Sequence, residues 1–373
     1  MEGPHEPSWA QVDLAAIERN YRAMRGLLSS GTKVLAVVKA DAYGHGAVPV
    51  ARRLADAGAE WLGVAQVQEG IELRRGGLKS PILLLQGIRA KQAPEVLEND
   101  LTPLVFDREA LEALSSFGKK RGKKAHVHVK VDTGMTRLGV RMDDLPGFLD
   151  AARKLEGIAV EGICSHFAIG EEPENPLTRK QRENFSRALE IAKEKGLPNL
   201  LRHLANSAAT ILDPSVHFDM VRLGISLYGA YPAGKGRERV QLSPALSWRT
   251  SLQQVKDVPA GTGVSYGATF RTPRDTRIGV LPVGYADGIP RRLSGKFEVL
   301  IHGKRCPAVG TVCMDFVMVD LGGVPSAKAG DEAVIIGTQQ SGEITAQEFA
   351  DAAGTIPYEV FCAIGRRVRR VYP

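Results

Sequence analysis

Lys39 directly follows an apolar run, VLAVV at residues 34–38, that is typical of a strand buried on both faces. The chain then turns polar and glycine-rich, as ADAYGHGA, and includes Tyr43. A lysine at a strand end is most often a solvated flank. Where desolvation lowers the pKa of a lysine, however, its neutral amine can attack a carbonyl group and form a Schiff base. What Lys39 does therefore depends on the groups that lie near it.

Further strand-like runs also end in polar or ionisable side chains. Any one of these residues could be a plain flank, a helix cap or a turn residue. The carboxyl ends of parallel strands meet at one edge of a sheet, so their joint occurrence predicts a reactive site at that edge. The residues are Lys130, with Arg137 in the loop after it, His166, Asn206 with Ser207, and Arg222 followed by Gly224 and Ile225.

The run AHVHVKV at residues 125–131 has the period of two that indicates a strand. His126, His128 and Lys130 share one face of it, and the valines share the other. We expect the valines to pack on helices, the histidines to be core residues rather than metal ligands, and Lys130 to point inward. A buried lysine has to be paired, deprotonated or chemically modified.

These groups together favour one cofactor. Ser207 at a helix start, with the N–H groups of the turn at Gly224 and Ile225, can hold a phosphate. Pyridoxal 5'-phosphate (PLP) is an aldehyde that bears a phosphate group, and it is held in enzymes as a Schiff base with a lysine. We expect PLP at this edge and, without a third ligand at suitable spacing from the two histidines, no metal.

The order of the elements predicts an α/β fold with an N-terminal (β/α)8 TIM-type barrel and a C-terminal mostly-β domain. Strand-like runs alternate with amphipathic helical stretches up to about residue 234, and short strands punctuated by Gly and Pro follow. We expect an N-terminal segment, 1–12, that joins the β domain, the barrel at 13–234, and the β domain at 235–373. The eight predicted barrel strands are 34–38, 61–65, 82–85, 101–106, 125–131, 158–164, 200–204 and 217–222.

Composition excludes several classes of function. Among the 373 residues, 43% are hydrophobic and 24% charged, which is ordinary for a globular enzyme. The net charge of +7 is spread along the chain without a basic recognition helix, so neither nucleic acid nor membrane is an expected partner. We find no CxxC pair, signal peptide or apolar run long enough to span a membrane, and we expect a cytoplasmic protein.

The chain resembles the bacterial alanine racemases, which are PLP enzymes of fold type III. The resemblance runs nearly from end to end, and the matching motifs stand in the family's order. They are SWAQVDLAAIERNYR, AVVKADAYGHGA, VKVDTGMTRLG, SHFA, ANSAA, VRLGISLYG, SYGATF, LPVGYADG, VGTVCMD and IPYEV.

The resemblance implies a role for each matching residue. Lys39 resembles the lysine that carries PLP and serves as one catalytic base, and Tyr266 resembles the other base. The groups implied for the phosphate are Tyr43, Ser207, Gly224, Ile225 and Tyr358, with Asn206 beside them. Those implied for the ring are Arg222 at the pyridine nitrogen, His166 between Arg222 and Tyr266, and Arg137 near the phenolic oxygen. Those implied for the substrate are Arg137 and the Met314 N–H at its carboxylate and Tyr285 with Tyr358 at the entry, and Lys130 is a possible carbamate.

The function that the resemblance implies is interconversion of L-alanine and D-alanine by a two-base mechanism, which supplies D-alanine for peptidoglycan. A head-to-tail homodimer with shared active sites is implied, because the family's second base comes from the partner subunit. Two alternatives stay open at this point. One is a racemase of broader specificity that includes serine, and the other is a non-catalytic PLP-binding barrel protein.

Overall fold

A computed structural model describes residues 7–373, which group into two compact units. The barrel unit comprises Ile17–Ala42 and Gly46–Ser243. The β unit comprises residues 7–16, Tyr43–His45 and Pro244–Pro373. The division at residues 12 and 234 remains a prediction, and residues 1–6 of its first segment lie outside the described residues.

The first elements of the described residues are strand β1 (Ser8–Val12) and helix α1 (Leu14–Arg25), and the barrel elements follow. The strands are β2 (Lys33–Val37), β3 (Trp61–Val64), β4 (Ile82–Leu84), β5 (Thr102–Val105), β6 (Ala125–Asp132), β7 (Val140–Arg141), β8 (Ile158–Cys164), β9 (Leu201–His203) and β10 (Met220–Leu223). The helices are α2 (Lys39–Gly44), α3 (Ala47–Asp56), α4 (Val67–Arg75), α5 (Ala93–Glu98), α6 (Arg108–Arg121), α7 (Leu145–Lys154), α8 (Pro176–Glu194) and α9 (Ser207–Leu212).

The barrel strands are parallel and run in the order β10-β2-β3-β4-β5-β6-β8-β9, with β7 paired to β6. Between β9 and β10 the backbone N–H of Arg222 donates to the Ala205 carbonyl at 3.0 Å, which nearly closes the ring. The predicted barrel is confirmed. Its strands are apolar on both faces because helices cover the outside and side chains fill the inside.

One expectation for the barrel is wrong, because His126 is not a core residue. Its side chain is 47% exposed, and Nδ1 lies 2.6 Å from a carboxylate oxygen of Glu161. The register between β6 and β8 shifts after Val127, and Glu161 falls at that irregularity. Only from His128 onward does the inward face of β6 become buried, so the period of two overstated the length of that face.

The β unit contains one large sheet, in the order β12-β15-β18-β17-β16-β19-β11-β1-β21, and a small hairpin of β13 and β14. All of its pairs are antiparallel except β1 with β21. The strands are β11 (Leu246–Ser251), β12 (Gln254–Val258), β13 (Gly263–Val264), β14 (Phe270–Arg271), β15 (Thr276–Leu281), β16 (Glu298–Ile301), β17 (Lys304–Val309), β18 (Val317–Asp320), β19 (Glu332–Gln339), β20 (Gly342–Ile344) and β21 (Arg369–Val371). The mostly-β character predicted for this region is confirmed.

Two helices that the sequence patterns did not predict complete the β unit, α10 (Ala346–Ala353) and α11 (Pro357–Ala363). Their boundary signals are ordinary. Thr345 Oγ1 accepts the N–H of Glu348 at 3.0 Å, and Gly354 ends α10 in the left-handed conformation. Pro357 begins α11, where the missing N–H costs nothing. Phe349 of α10 packs near Trp248 in the core of this unit.

Over residues 7–373, every helix is too short or too polar to cross a lipid bilayer.

Candidate active site

Lys39 opens a turn of left-handed helix. Residues 40–43, none of them glycine, have φ between 52° and 54°, and Gly44 follows at 77°. Each non-glycine residue in this conformation costs about 1–2 kcal/mol, because Cβ approaches the following carbonyl oxygen. Such a run persists only where the surrounding structure compensates for its cost.

Local hydrogen bonds in the barrel unit hold the beginning of this turn. The N–H of Ala40 donates to a Glu69 carboxylate oxygen at 2.7 Å, and Ala42 donates to the Val38 carbonyl at 2.9 Å. Asp41 accepts twice, from Gly46 at its carbonyl and from Ala47 at Oδ1. The backbone that carries Lys39 is therefore fixed by several specific bonds.

The C-terminal segment of the β unit holds the end of the turn. Arg370 Nε donates to the Gly44 carbonyl at 2.8 Å, and the rest of its guanidinium donates to carbonyl groups within 364–368. The Tyr372 hydroxyl donates to the carbonyl of His45 at 3.1 Å. The buried His45 ring donates from Nδ1 to the Tyr43 carbonyl at 2.9 Å. These contacts give His45 a structural role within the turn.

Tyr43 lies buried in the β unit, with its ring centroid 6.0 Å from that of Tyr358. Burial raises the pKa of the Tyr43 phenol well above its usual value, and the nearby Tyr358 and Cys362 raise it further. The phenol therefore stays protonated and is a hydrogen-bond donor, which suits contact with an anionic oxygen.

In the barrel unit the ends of β9 and β10 form a small polar cluster. Ser207 Oγ accepts the N–H of Gly224 at 2.9 Å and the hydroxyl of Ser226 at 3.0 Å. Asn206 caps α9 by accepting the N–H of Ala209, also at 3.0 Å. Ile225, next to Gly224, is buried. The residues after these two strands that were predicted to contact a phosphate therefore lie together. Ser226 also belongs to this cluster and was not predicted.

Arg222 is 6% exposed, yet every acceptor that it contacts within residues 7–373 is neutral. Its guanidinium donates to the Nδ1 atoms of His203 and His166, both at 3.0 Å. It also donates to the carbonyls of Ser165 at 2.8 Å and Leu204 at 3.0 Å. Burial lowers the pKa of Arg222, but a guanidinium keeps its proton. A buried positive charge without a carboxylate contact favours a ligand that accepts hydrogen bonds.

His166 marks the centre of a cationic region and is itself only partly buried. Its pKa is held well below the usual value by burial and then by positive charges on several elements. Their source is Arg222, Lys130, Arg137 and Lys39. A concentration of cations of this kind attracts a ligand that brings negative charge, such as a phosphate or a carboxylate.

Lys130 is buried on β6 and lies at the same end of the barrel. Burial lowers its pKa to about 8, with an opposing effect of Cys164 and further lowering by Arg222 and Arg137. A substantial fraction of the amine is therefore neutral at about pH 8. Arg137 lies exposed in the loop after β6, where Asp132 Oδ1 accepts three backbone N–H groups of residues 134–136.

The remaining predicted residues lie in loops of the β unit and face outward. Tyr266 is 73% exposed, Met314 52% and Tyr285 43%. Thr311 Oγ1 donates to the Tyr266 carbonyl at 3.0 Å, and Ala286 donates to the Met314 carbonyl at 3.1 Å. Apolar side chains held in defined positions but exposed in a single chain indicate a surface that another molecule covers.

Several residues that hold the site were not found by sequence reasoning. Glu69 and Arg370 support the turn after Lys39, and His203 and Ser165 support Arg222. His203 is the inward-facing residue at the end of β9, so the alternation along that strand could have indicated it. The support that Arg370 gives to the turn had no local signal, because the Gly44 carbonyl lies in a distant part of the chain.

Gly44 is a position where the turn requires glycine. A Cβ added there lies 2.3 Å from the Phe361 carbonyl oxygen, whereas one added at Gly354, also at positive φ, meets no atom within 4 Å. We expect Gly354→Ala to cost about 1 kcal/mol from backbone strain alone. We expect Gly44→Ala to cost about 3 kcal/mol or more, because strain and overlap add.

Urea denaturation of the two variants and the parent protein measures both values. Gly354→Ala is the matched control for positive φ. Equal losses in the two variants would contradict the close packing of Gly44 against Phe361.

Comparison with known proteins agrees with this arrangement. The family described as "Alanine racemase, N-terminal domain" matches residues 12–232, and "Alanine racemase, C-terminal domain" matches residues 245–372. An alanine racemase of Symbiobacterium thermophilum is 47% identical over 366 residues, which are 98% of this chain and 97% of that protein.

Solved structures are similar over the same length. Alanine racemase from Streptomyces lavendulae has a TM-score of 0.94 and 41% identity, covering 100% of this chain and 98% of that one. Alanine racemase from Bartonella henselae, solved with covalently bound pyridoxal phosphate, has a TM-score of 0.88 and 32% identity, covering 98% and 99%. The resemblance inferred from the sequence motifs is confirmed, and this chain belongs to the alanine racemase family.

Proposed function

We propose that this chain interconverts L-alanine and D-alanine with PLP attached to Lys39. Membership of the family makes the chain an alanine racemase, an isomerase. The cofactor and the roles of individual residues are the proposal. The observation that carries them is the set of cationic groups around His166, which includes both Lys39 and the buried Arg222.

The donors and acceptors of this chain fit PLP. Arg222 is a buried donor with neutral partners, which suits the acceptor nitrogen of a pyridine ring. The protonated Tyr43, with Tyr358 beside it, and the polar cluster of Ser207 and Gly224 suit a phosphate. We assign Ile225 and Asn206 to the same phosphate group. The Bartonella henselae relative carries the cofactor covalently, which supports the assignment.

PLP, when bound, withdraws electrons from the substrate Cα and so makes its proton removable. Arg222 limits this effect. A guanidinium has a pKa above about 12 and does not surrender its proton to the ring nitrogen. Arg222 would therefore offer a bound pyridine ring a hydrogen bond but no proton, and so would favour return of the proton to Cα. His166 connects Arg222 with the Tyr266 side of the reaction in this proposal.

Racemisation requires a proton donor and acceptor on each face of Cα. A single base would have to cross from one face to the other, whereas two bases can stay in place. We assign Lys39 to the face of the D isomer and Tyr266 to the face of the L isomer. Arg137 and the Met314 N–H hold the substrate carboxylate, and Tyr285 with Tyr358 narrows the entry to small amino acids.

Covalent attachment at Lys39 provides the direct test of this function. Treatment of the holoenzyme with borohydride and peptide mass analysis should find the pyridoxyl group on the peptide that contains Lys39. The Lys39→Ala variant should lose the group and racemase activity while keeping the fold. Lys33→Ala, a change at an exposed lysine at the start of the strand that precedes Lys39, is the matched control and should keep both. A pyridoxyl group on another lysine would overturn the assignment.

We further propose a head-to-tail homodimer in which Tyr266 acts in the site of the partner subunit. The support is the exposure of Tyr266, Met314, Tyr285 and Phe316 on the β unit, where each is at least 43% exposed. A catalytic tyrosine that is exposed would exchange its proton with bulk water as well as with the substrate. Cover by a second copy would exclude that water and complete the site.

Mixing inactive chains tests the shared site. Lys39→Ala and Tyr266→Phe chains, mixed in equal amounts and allowed to exchange subunits, should regain about a quarter of the wild-type activity, because half of the dimers have one intact site. Lys39→Ala mixed with Arg222→Leu is the control and should regain none, since each mixed site keeps one defect. Absence of recovery despite demonstrated mixed dimers would contradict the proposal.

Lys130 is proposed to carry a carbamate, formed by its neutral amine and carbon dioxide. Its lowered pKa of about 8 provides the neutral amine, and the nearby charges of Arg222 and Arg137 favour the negative product. A carbamate would also orient Arg137 towards the substrate.

Carbon-13 NMR of protein equilibrated with labelled bicarbonate tests this modification. A carbamate signal should grow as the pH rises through about 8, because the neutral fraction of Lys130 increases. The signal should be absent from Lys130→Ala and present in Lys33→Ala. A signal that survives Lys130→Ala, or no signal at all, would disprove the modification.

The biological role that we propose is the supply of D-alanine for peptidoglycan, by a cytoplasmic enzyme that needs neither nucleic acid nor a membrane.

A further inference from the structure

Two buried histidines of the barrel unit join Arg222 in a chain of hydrogen bonds. Arg222 Nη1 lies 3.0 Å from His203 Nδ1, and His203 Nε2 lies 2.9 Å from His128 Nδ1. Both histidine rings are fully buried. Neither histidine belongs to the residues assigned to cofactor or substrate.

The chemistry of the guanidinium fixes the direction of this chain. Arginine has donors only, so His203 Nδ1 has to be an acceptor without a proton. Burial and then the charge of Arg222 hold the pKa of His203 well below its usual value, so the ring is neutral and its proton is on Nε2. That N–H donates to His128 Nδ1. Burial likewise lowers the pKa of His128 to about 3, so this ring is also neutral. Because its Nδ1 accepts, its single proton is on Nε2.

His128 is the last residue in this chain of hydrogen bonds, and its contacts show what holds its ring in place. Within residues 7–373, His128 Nε2 has no hydrogen-bond partner. A buried N–H without a partner is unfavourable, and an atom that makes no hydrogen bond cannot fix the orientation of the ring. It is held by Nδ1 and by packing, with the Trp61 ring centroid 5.2 Å away. A Cβ added at Gly162 would lie 2.6 Å from Nδ1, so the ring lies directly on the glycine backbone.

His166 obeys the same rule on the other side of Arg222. Its Nδ1 accepts from Nη2 of Arg222 at 3.0 Å, so its proton is also on Nε2. The Arg222 guanidinium thus lies between two acceptor nitrogens and the carbonyls of Ser165 and Leu204. Fixed acceptors on several sides determine the plane of the guanidinium, and the absence of a carboxylate among them leaves its charge available to a ligand.

We propose that His203 and His128 are positioning residues that hold Arg222 in one orientation through a one-way chain of hydrogen bonds. Both rings are neutral and carry their proton on Nε2. The orientation of Arg222 rests on this chain, whereas its use towards the pyridine nitrogen rests on the proposed function. If His203 no longer accepts, Arg222 can turn away, and water can then deliver a proton to that nitrogen.

Nitrogen-15 NMR of histidine-labelled protein without PLP tests the chain independently of the cofactor. His203 and His128 should each show a protonated Nε2 and an unprotonated Nδ1, unchanged between about pH 6 and pH 9, a range in which exposed histidines titrate. The charged groups that act on these rings are Arg222, on both, and Lys130, on His203, while Cys164 and Arg137 act on Arg222 itself. Assignment uses the His203→Asn and His128→Asn variants. An imidazolium, or a proton on Nδ1 of His203, would overturn the proposal.

Two variants of His203 test the effect on PLP-loaded enzyme. His203→Leu removes the acceptor for Arg222, whereas His203→Asn keeps an acceptor oxygen near the position of Nδ1. The measured quantity is the ratio of transamination, seen as pyridoxamine phosphate, to racemisation. We expect His203→Leu to raise the ratio at least about tenfold, a change of about 1.4 kcal/mol between the two barriers. His203→Asn should stay within about twofold of the parent.

His217→Leu is the control for a merely structural effect. His217 is a buried histidine of the same unit whose Nε2 donates to the Thr210 carbonyl at 2.9 Å, so its loss also removes a buried hydrogen bond. We expect it to lower stability and leave the ratio unchanged. An unchanged ratio in His203→Leu, or an equal rise in His217→Leu, would overturn the positioning role even where PLP is bound. Failure of PLP to bind would disprove the proposed function, whereas the nitrogen-15 experiment would still test the hydrogen-bond chain.

Discussion

The buried charge of Arg222 is the constraint on which the active end of the barrel depends. A guanidinium that is removed from water has to keep its hydrogen bonds, and here neutral imidazole and carbonyl acceptors provide them. A carboxylate in their place would neutralise the charge and could supply a proton to a bound ring. Because the partners are neutral, the positive charge stays available to a ligand. It lowers the pKa of His166 and also helps to lower the pKa of Lys130.

Backbone strain is the second cost of the site. The turn after Lys39 is left-handed and includes Tyr43. Its four non-glycine residues each disfavour the left-handed conformation. Glu69 supports the beginning of the turn and Arg370 supports its end. The C-terminal segment therefore stabilises the end of this turn, although Gly44 and Arg370 lie far apart in the chain.

The β unit brings a different requirement. Tyr266 has a held backbone but an exposed side chain, and the same is true of Tyr285. An isolated chain therefore presents the proposed second base to solvent, where water competes for every proton that it exchanges. The proposed homodimer would meet this requirement without any change within the chain, because each copy would cover the exposed loops of the other.

The sequence by itself determined the barrel, the mostly-β region and the family, because buried parallel strands have continuous apolar runs and the motifs are specific in type and order. It also indicated which side chains lie at strand ends. Only the tertiary structure decided that His126 is exposed while His128 is buried, since a register shift between two strands has no local signal. The support of Arg222 by His203, and of the strained turn by Arg370, was likewise decided by tertiary packing. The physical reason is that a hydrogen bond between residues far apart in the chain depends on where the whole fold brings them, and no short stretch of sequence contains that information.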